Sequence, residues 1–292
     1  MKKIIFKILG WYFNKLVLIA PDVAARQGFK LFCYPIRPTL AKNHKAFLDA
    51  ARSETFVINK DKIQVYKWGN GPKKILFVHG WQSHSFRWKS YVESLSGNEY
   101  TLYAFDAPGH GNSGGSMLHL PMFTEVIDFF ISKKGPFDAI VGHSLGCFAI
   151  IYSLYKQPKH TNAKLVILGT PGAGMDFYAL FKKTLHLSDR MGNTLLERFK
   201  KISCQNLDYF SLEKFAANLE NSGLIIHEKT DREAPFGYAY NLHSIWKNSS
   251  LVYTEGLDHK LKSDRVVSLV KKFLTSDVQD IVPERTPVKL EI

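Results

Sequence analysis

A short stretch at the centre of the chain, "FDAIVGHSLGCFAIIYSLY" over residues 137–155, restricts the possible folds more than any other. An apolar run of strand length ends at Gly142, Ser144 stands between Gly142 and Gly146, and a second apolar run of helical character begins at once. Strand, turn and helix with no residue to spare demand a sharp elbow. Glycines on both sides admit backbone where a Cβ would collide with the neighbouring strand or helix. Such an elbow lifts the Ser144 hydroxyl above a sheet and seats it at a helix N-terminus, whose dipole favours negative charge. In that context Ser144 is read as a nucleophile; the bland alternative is a structural turn.

The flanking sequence supports a sheet around the elbow. "TFVINKDKIQVYKWGNGP" reads as a β-hairpin, and "KKILFVHG" as a strand buried on both faces. "YTLYAFDAPGHG", "AKLVILGTPGAG", "SGLIIHEKTD" and "SLVYTEG" are further strands, separated by helical stretches. Residues 172–220 break this rhythm, being helix-prone with no strand-like run. Alternating βα units imply an α/β fold with a mostly parallel sheet, helices on both faces and 172–220 as a helical insertion above it. The expected organisation is an N-terminal amphipathic helical extension over 1–50, a core over 51–171 and 221–276, the insertion, and a loose tail over 277–292.

A serine hydroxyl is a weak nucleophile at neutral pH and needs a base that a carboxylate orients. Ligands in such sheets bind at the carboxyl ends of the strands, and the chain order should run serine, acid, histidine. Asp231 lies just past "LIIHEKT" and His259 just past "YTEGLD". Their bland readings are a turn-forming residue and a surface-loop histidine. His227 lies inside a strand and points into packing. Asp258 adjoins His259 and is read as solvated, while Asp208 and Glu228 are weaker candidates for the acid. His143, inside the elbow, packs or hydrogen-bonds behind the nucleophile. Acyl transfer also needs donors for an oxyanion. The backbone N–H groups of Leu145 and Trp81 are expected to provide them, with Gly80 keeping the loop open and His79 fixing it.

Taken together, "HGW" at 79–81, "FDAPGHGNSGG" at 105–115, "GHSLG" at 142–146, the Asp231 turn and "GLDHK" at 256–260 resemble the serine-nucleophile, esterase- and lipase-like branch of the α/β-hydrolase fold superfamily. The resemblance covers roughly residues 55–275. It implies an eight-stranded, mostly parallel sheet with Ser144, Asp231 and His259 as triad, and 172–220 as a cap over the cleft. It also implies that Asp106 and His110 shape a structural loop near the pocket. Asp258 departs from the pattern, which usually has a small residue there.

Composition limits the partners. With 45% hydrophobic and 22% charged residues the chain reads as an ordinary globular protein. Three widely spaced cysteines suit a reducing, cytoplasmic compartment, with Cys147 inside a helix as a small apolar residue. The net charge of +13 allows an anionic partner, yet no nucleic-acid reading module is present. No metal-ligand spacing or cofactor loop competes with the triad, so no metal and no cofactor are expected. In the N-terminal segment Lys3, Lys7, Gly10 and Asn14 line one narrow stripe of a helix that is otherwise apolar. Residues 1–20 are expected to pack on the domain or a second subunit, to associate peripherally with an anionic membrane at its inner face, or to serve as an uncleaved anchor.

The expected chemistry is hydrolysis of a small-molecule carboxylic ester, apolar or lipid-like, through an acyl-enzyme on Ser144. Alternatives are a thioesterase, an acyltransferase or a carbon–carbon bond hydrolase on the same residues, or a non-enzymatic binding protein on a hydrolase scaffold. The aromatics Phe177, Tyr178, Phe181, Phe199, Tyr209, Phe210 and Phe215 are expected to seal the insertion onto the body or to read an acyl chain.

Overall fold

The computed structural model describes residues 2–158, 162–276 and 286–292. The chain divides into two compact units, Met1–Tyr34 with Gly172–Ser211, and Pro35–Pro171 with Leu212–Ile292. Along the chain, α1 (Lys2–Ile19), α2 (Pro21–Phe32) and α3 (Lys42–Asp49) precede the strands β1 (Arg52–Ile58), β2 (Asp61–Trp68) and β3 (Lys73–Val78). A 3-10 turn (Ser85–Trp88) runs into α4 (Lys89–Ser94), followed by β4 (Tyr100–Phe105), α5 (Leu120–Lys134), β5 (Ala139–His143), α6 (Leu145–Lys156) and β6 (Lys164–Leu168). After α7 (Gly174–Leu185), α8 (Asp189–Ser203) and α9 (Leu212–Ala216) the alternation resumes. It runs through β7 (Gly223–Glu228), α10 (Gly237–Ile245), β8 (Ser249–Thr254), α11 (Asp264–Thr275) and β9 (Val288–Lys289).

In the sheet unit the strand order is β1-β2-β4-β3-β5-β6-β7-β8-β9. β1 and β2 pair antiparallel, as do β2 and β4, and every later pair is parallel. The β1–β2 hairpin turns at Asn59 and Lys60, both at positive φ, the conformation of a tight two-residue hairpin loop. β4, β5, β6 and β7 are buried along their whole length, as covered parallel strands must be. Eight strands were expected; the ninth, β9, joins beside β8 within the segment read as a loose tail. The stretch 277–285 of that tail lies outside the described residues. α6 follows Ser144 directly and is buried on every side from Leu145 to Leu154, which makes the elbow rigid.

The helical unit has its own core, in which Phe13 and Val17 of α1 meet Ala24, Leu185, Leu187 and Met191. The stripe of α1 read as polar is not the outer one, because Gly10 and Asn14 border its packed side. A Cβ built at Gly10 would stand 1.6 Å from the Leu185 carbonyl oxygen, so the small residue permits close helix approach. Asn14 Nδ2–H donates to the His186 carbonyl (3.0 Å) and Asn14 Oδ1 accepts from Ser188 N–H (2.8 Å). Helix ends leave such backbone groups unpaired, and the α7–α8 turn needs a polar side chain from its neighbour. The opposite face of α1 is solvent-exposed, with Trp11 at 65% and Ile8 at 60%.

Three aromatics of 172–210, Phe181, Phe199 and Phe210, pack within this unit. Phe181 stacks edge-on with Phe32, and Phe199 contacts Phe29 and Phe210. Phe215 belongs to the sheet unit and packs on Phe148, Tyr152 and Tyr155 of α6. Among the described residues no helix is long and apolar enough to cross a membrane. Cys33 and Cys147 are buried and Cys204 is exposed, all as free thiols.

Candidate active site

Ser144 follows the carboxyl end of β5 with φ 52° and ψ −124°. For a residue with a side chain this backbone costs about 1–3 kcal/mol, and it persists only where the surroundings over-determine it. Here they do. Ser144 N–H donates to the Leu168 carbonyl (2.9 Å), and the Ser144 carbonyl accepts from Cys147 N–H (2.9 Å). A Cβ at Gly146 would lie 2.5 Å from the Val78 carbonyl oxygen, and one at Gly142 would lie 2.6 Å from Ile150 Cδ1. Gly80, at the end of β3, approaches the elbow from the other side, where a Cβ would come within 2.9 Å of Ser144 Cβ.

The loops after β7 and β8 bring Asp231 and His259 to the same edge. His259 Nε2 stands 3.0 Å from Ser144 Oγ, and His259 Nδ1 stands 2.6 Å from Asp231 Oδ2. The carboxylate accepts from Nδ1–H, which leaves the Nε2 lone pair facing the hydroxyl. Asp231 Oδ1 accepts from the N–H groups of Glu233 (2.8 Å) and Ala234 (3.0 Å). Burial pushes the Asp231 carboxyl up, but bonds from His259, Ala234 and Glu233 outweigh it and hold the group below its ordinary range. An ionised, fully hydrogen-bonded carboxylate fixes the imidazole tautomer. The arrangement can take a proton from the Ser144 hydroxyl and return it elsewhere.

The supporting histidines are buried and neutral. His143 Nε2–H donates to the His259 carbonyl (2.9 Å), and burial holds its ring well below the usual histidine range. His79 donates from Nδ1 to the Gly80 carbonyl (2.7 Å) and accepts Ala107 N–H at Nε2 (3.0 Å). Burial lowers it to about 3. Trp81 stands edge-on to His110, whose Nε2 accepts Gln82 N–H (3.0 Å). Asp106 is a buried hub. Its Oδ1 accepts from Ser85 N–H and Oγ–H at 2.8 and 2.7 Å, and its Oδ2 from Asn112 N–H at 2.8 Å.

The competing residues go elsewhere. His227 Nε2–H donates to the Ala234 carbonyl (2.7 Å), with Asp231 Oδ2 3.6 Å away. Asp258 is exposed and caps Lys260 N–H. Asp208 is exposed. Glu228 directs both of its oxygens to donors other than His259. Wholly buried, it accepts at Oε1 from Thr230 N–H (3.1 Å), Thr230 Oγ–H (2.7 Å) and Gly256 N–H (3.3 Å). At Oε2 it accepts from Thr254 Oγ–H (2.8 Å) and Leu257 N–H (3.0 Å). Burial raises its carboxyl, and the bonds from Thr230, Thr254 and Leu257 more than reverse that. One carboxylate thus ties the turn that carries Asp231 to the loop that carries His259.

Two more residues escaped sequence reading. Gly169, after β6, has φ 59°, and a Cβ there would lie 3.3 Å from His259 Cε1. Its one trace was a glycine closing a strand. Arg87 donates from Nη2 to the Lys260 carbonyl (2.5 Å), and burial lowers its guanidinium to about 10. No signal in a single sequence marks that contact. Among the described residues no group of three or more His, Cys, Asp and Glu side chains could hold a metal ion.

A mostly parallel sheet of this strand order, with a serine elbow, a histidine and an aspartate at its carboxyl edge, defines an α/β-hydrolase. A family model described as serine aminopeptidase, S33, matches residues 70–235, more than half the chain, and the chain belongs to that family. It is similar to a pimeloyl-[acyl-carrier protein] methyl ester esterase of Nitrosomonas europaea, 34% identical over 110 residues, 37% of this chain and 42% of the relative. It is also similar to the human monoglyceride lipase, 28% identical over 129 residues, 40% of this chain and 43% of the relative. The matches thus span about half the length of the curated relatives or less. Among solved structures, Est1E of Butyrivibrio proteoclasticus superposes with a TM-score of 0.58 at 19% identity, over 76% of this chain and 96% of that one, a likeness of fold.

Proposed function

We propose that the protein is a serine hydrolase that cleaves a carboxylic ester, apolar or lipid-like, through an acyl-enzyme on Ser144. The observation that carries this reading is the chain Ser144 Oγ, His259 Nε2, His259 Nδ1 and Asp231 Oδ2, at 3.0 and 2.6 Å. Relatives named as esterases and a lipase support the ester as substrate class.

In this mechanism the Ser144 oxygen attacks the ester carbonyl while its proton passes to His259 Nε2. Asp231 stabilises the imidazolium that forms. The tetrahedral oxyanion is held by the N–H groups of Leu145 and Trp81, and losing one such donor costs about 3 kcal/mol of barrier. His259 then protonates the departing alkoxide, leaving an acyl-serine and a free alcohol. A water, deprotonated by His259, attacks the acyl carbon in the second half, and the acid leaves as Ser144 regains its proton.

Labelling with a fluorophosphonate probe and turnover of p-nitrophenyl esters graded in chain length test the proposal. Wild type is expected to label and turn over, and Ser144→Ala to do neither. An unlabelled wild type would favour a binding protein on this scaffold, and faster acyl-CoA than ester turnover would favour a thioesterase.

A further inference from the structure

We propose that the outward face of α1 is a docking surface for a bilayer that carries anionic lipid. Of the fifteen large hydrophobic side chains exposed among the described residues, eight lie on this one helix. Ile4, Ile8, Trp11, Lys15 and Leu18 recur at intervals of four, three, four and three, and so fall on one line along the helix. Ile5 and Tyr12 widen that line to a broad arc, with exposures of 53% and 40%. The inner side of the same helix is already satisfied, since Val17 is wholly buried and Phe13 nearly so. A helix apolar on both sides has one more face to cover than this fold covers.

Charge identifies what covers it. α1 contains lysines and no acidic residue, and Lys7 and Lys15 are exposed on or beside the arc. The helical unit as a whole holds twelve Lys and Arg against five Asp and Glu, a formal +7 of the chain's +13, in about a quarter of its residues. Two copies facing one another through such units would repel, whereas an anionic bilayer attracts both features at once. Trp11 and Tyr12 have the amphipathic rings that settle at headgroup level, and a lysine stem lets Lys15 reach a phosphate while its methylenes lie among apolar neighbours. No described helix suffices to cross a membrane, so the helix lies in the plane of the interface with its arc about 5–10 Å deep. Vesicle binding through α1 does not depend on ester turnover at Ser144, so either can fail without the other.

The test is co-sedimentation of the full chain with phosphatidylcholine vesicles, with and without phosphatidylglycerol, alongside Ile8→Asp/Trp11→Asp and Lys7→Glu/Lys15→Glu. Each basic residue near an anionic surface is worth about fivefold in partitioning. The wild type is expected to pellet with the anionic vesicles, less so at high salt. The lysine variant should bind at least tenfold more weakly and the apolar variant should stay in solution, each with an unchanged circular dichroism spectrum and unchanged turnover of a soluble ester. Wild type remaining in the supernatant, or an apolar variant that still pellets, would overturn the proposal. So would a wild-type dimer that Ile8→Asp/Trp11→Asp disperses in the absence of vesicle binding, which would assign the face to a second copy.

Discussion

Glu228 illustrates how a single buried side chain serves a site it does not touch. Five donors converge on its two oxygens, and they come from both loops that present Asp231 and His259. An amide at this position can accept at one atom only, so its NH2 would confront backbone N–H groups and push one loop away. Glu228→Gln is therefore expected to lower kcat for a soluble p-nitrophenyl ester by up to about 100-fold, the cost of an ångström of misplacement at reacting groups, with KM nearly unchanged. An unaltered kcat would show that the two loops hold their places without this carboxylate. In the sequence Glu228 is a weaker candidate for the acid, and nothing there marks another role for it. The function of Glu228 lies in contacts between segments some 28 residues apart, and no periodicity records those.

At the scale of elements, α6 and α1 contrast. The start of α6 is dictated locally. A strand must stop, a helix must begin, and Gly142 and Gly146 leave room for the neighbouring backbone, so motif and geometry coincide. α1 was ambiguous because periodicity separates faces without saying which partner each face meets. Its polar stripe resembles a solvated edge until the orphan carbonyl of His186 and the N–H of Ser188 are placed beside Asn14. Asn14→Leu should remove both bonds and destabilise the helical unit by about 2 kcal/mol, at about 1 kcal/mol per hydrogen bond. Amide hydrogen exchange would report this as faster exchange in α1 and around the α7–α8 turn. Protection equal to wild type would mean that Phe13 and Val17 hold the helix unaided.

For the whole molecule, the buried histidines set a pH dependence. His79 and His110 fall from 6.5 to about 3 through burial, so the folded protein keeps them neutral where the unfolded chain protonates them. A group with a depressed folded pKa stabilises the protein above its unfolded value, and that stabilisation drains away as pH falls toward the folded one. Asp231 and Glu228 are held below their ordinary range and act with the same sign in a lower window. Tm is therefore expected to be level between about pH 7 and 8, to decline as pH drops below 6.5, and to fall more steeply below about pH 4. A Tm that stays level down to pH 5 would contradict the buried, neutral state of these imidazoles.

Much of the sheet and all three members of the Ser144–His259–Asp231 constellation were legible in the chain itself. Each is announced by a local pattern, an apolar run, a glycine pair or a strand end, and chemistry limits which side chains can serve together. The ninth strand, the grouping of residues 1–34 with 172–211, the loop-tying roles of Glu228 and Arg87, and the space that Gly169 leaves for the His259 ring emerged only from the folded chain. All of these depend on segments distant in sequence meeting in space. Their energies belong to the contact between two segments, and neither segment carries a sign of it alone.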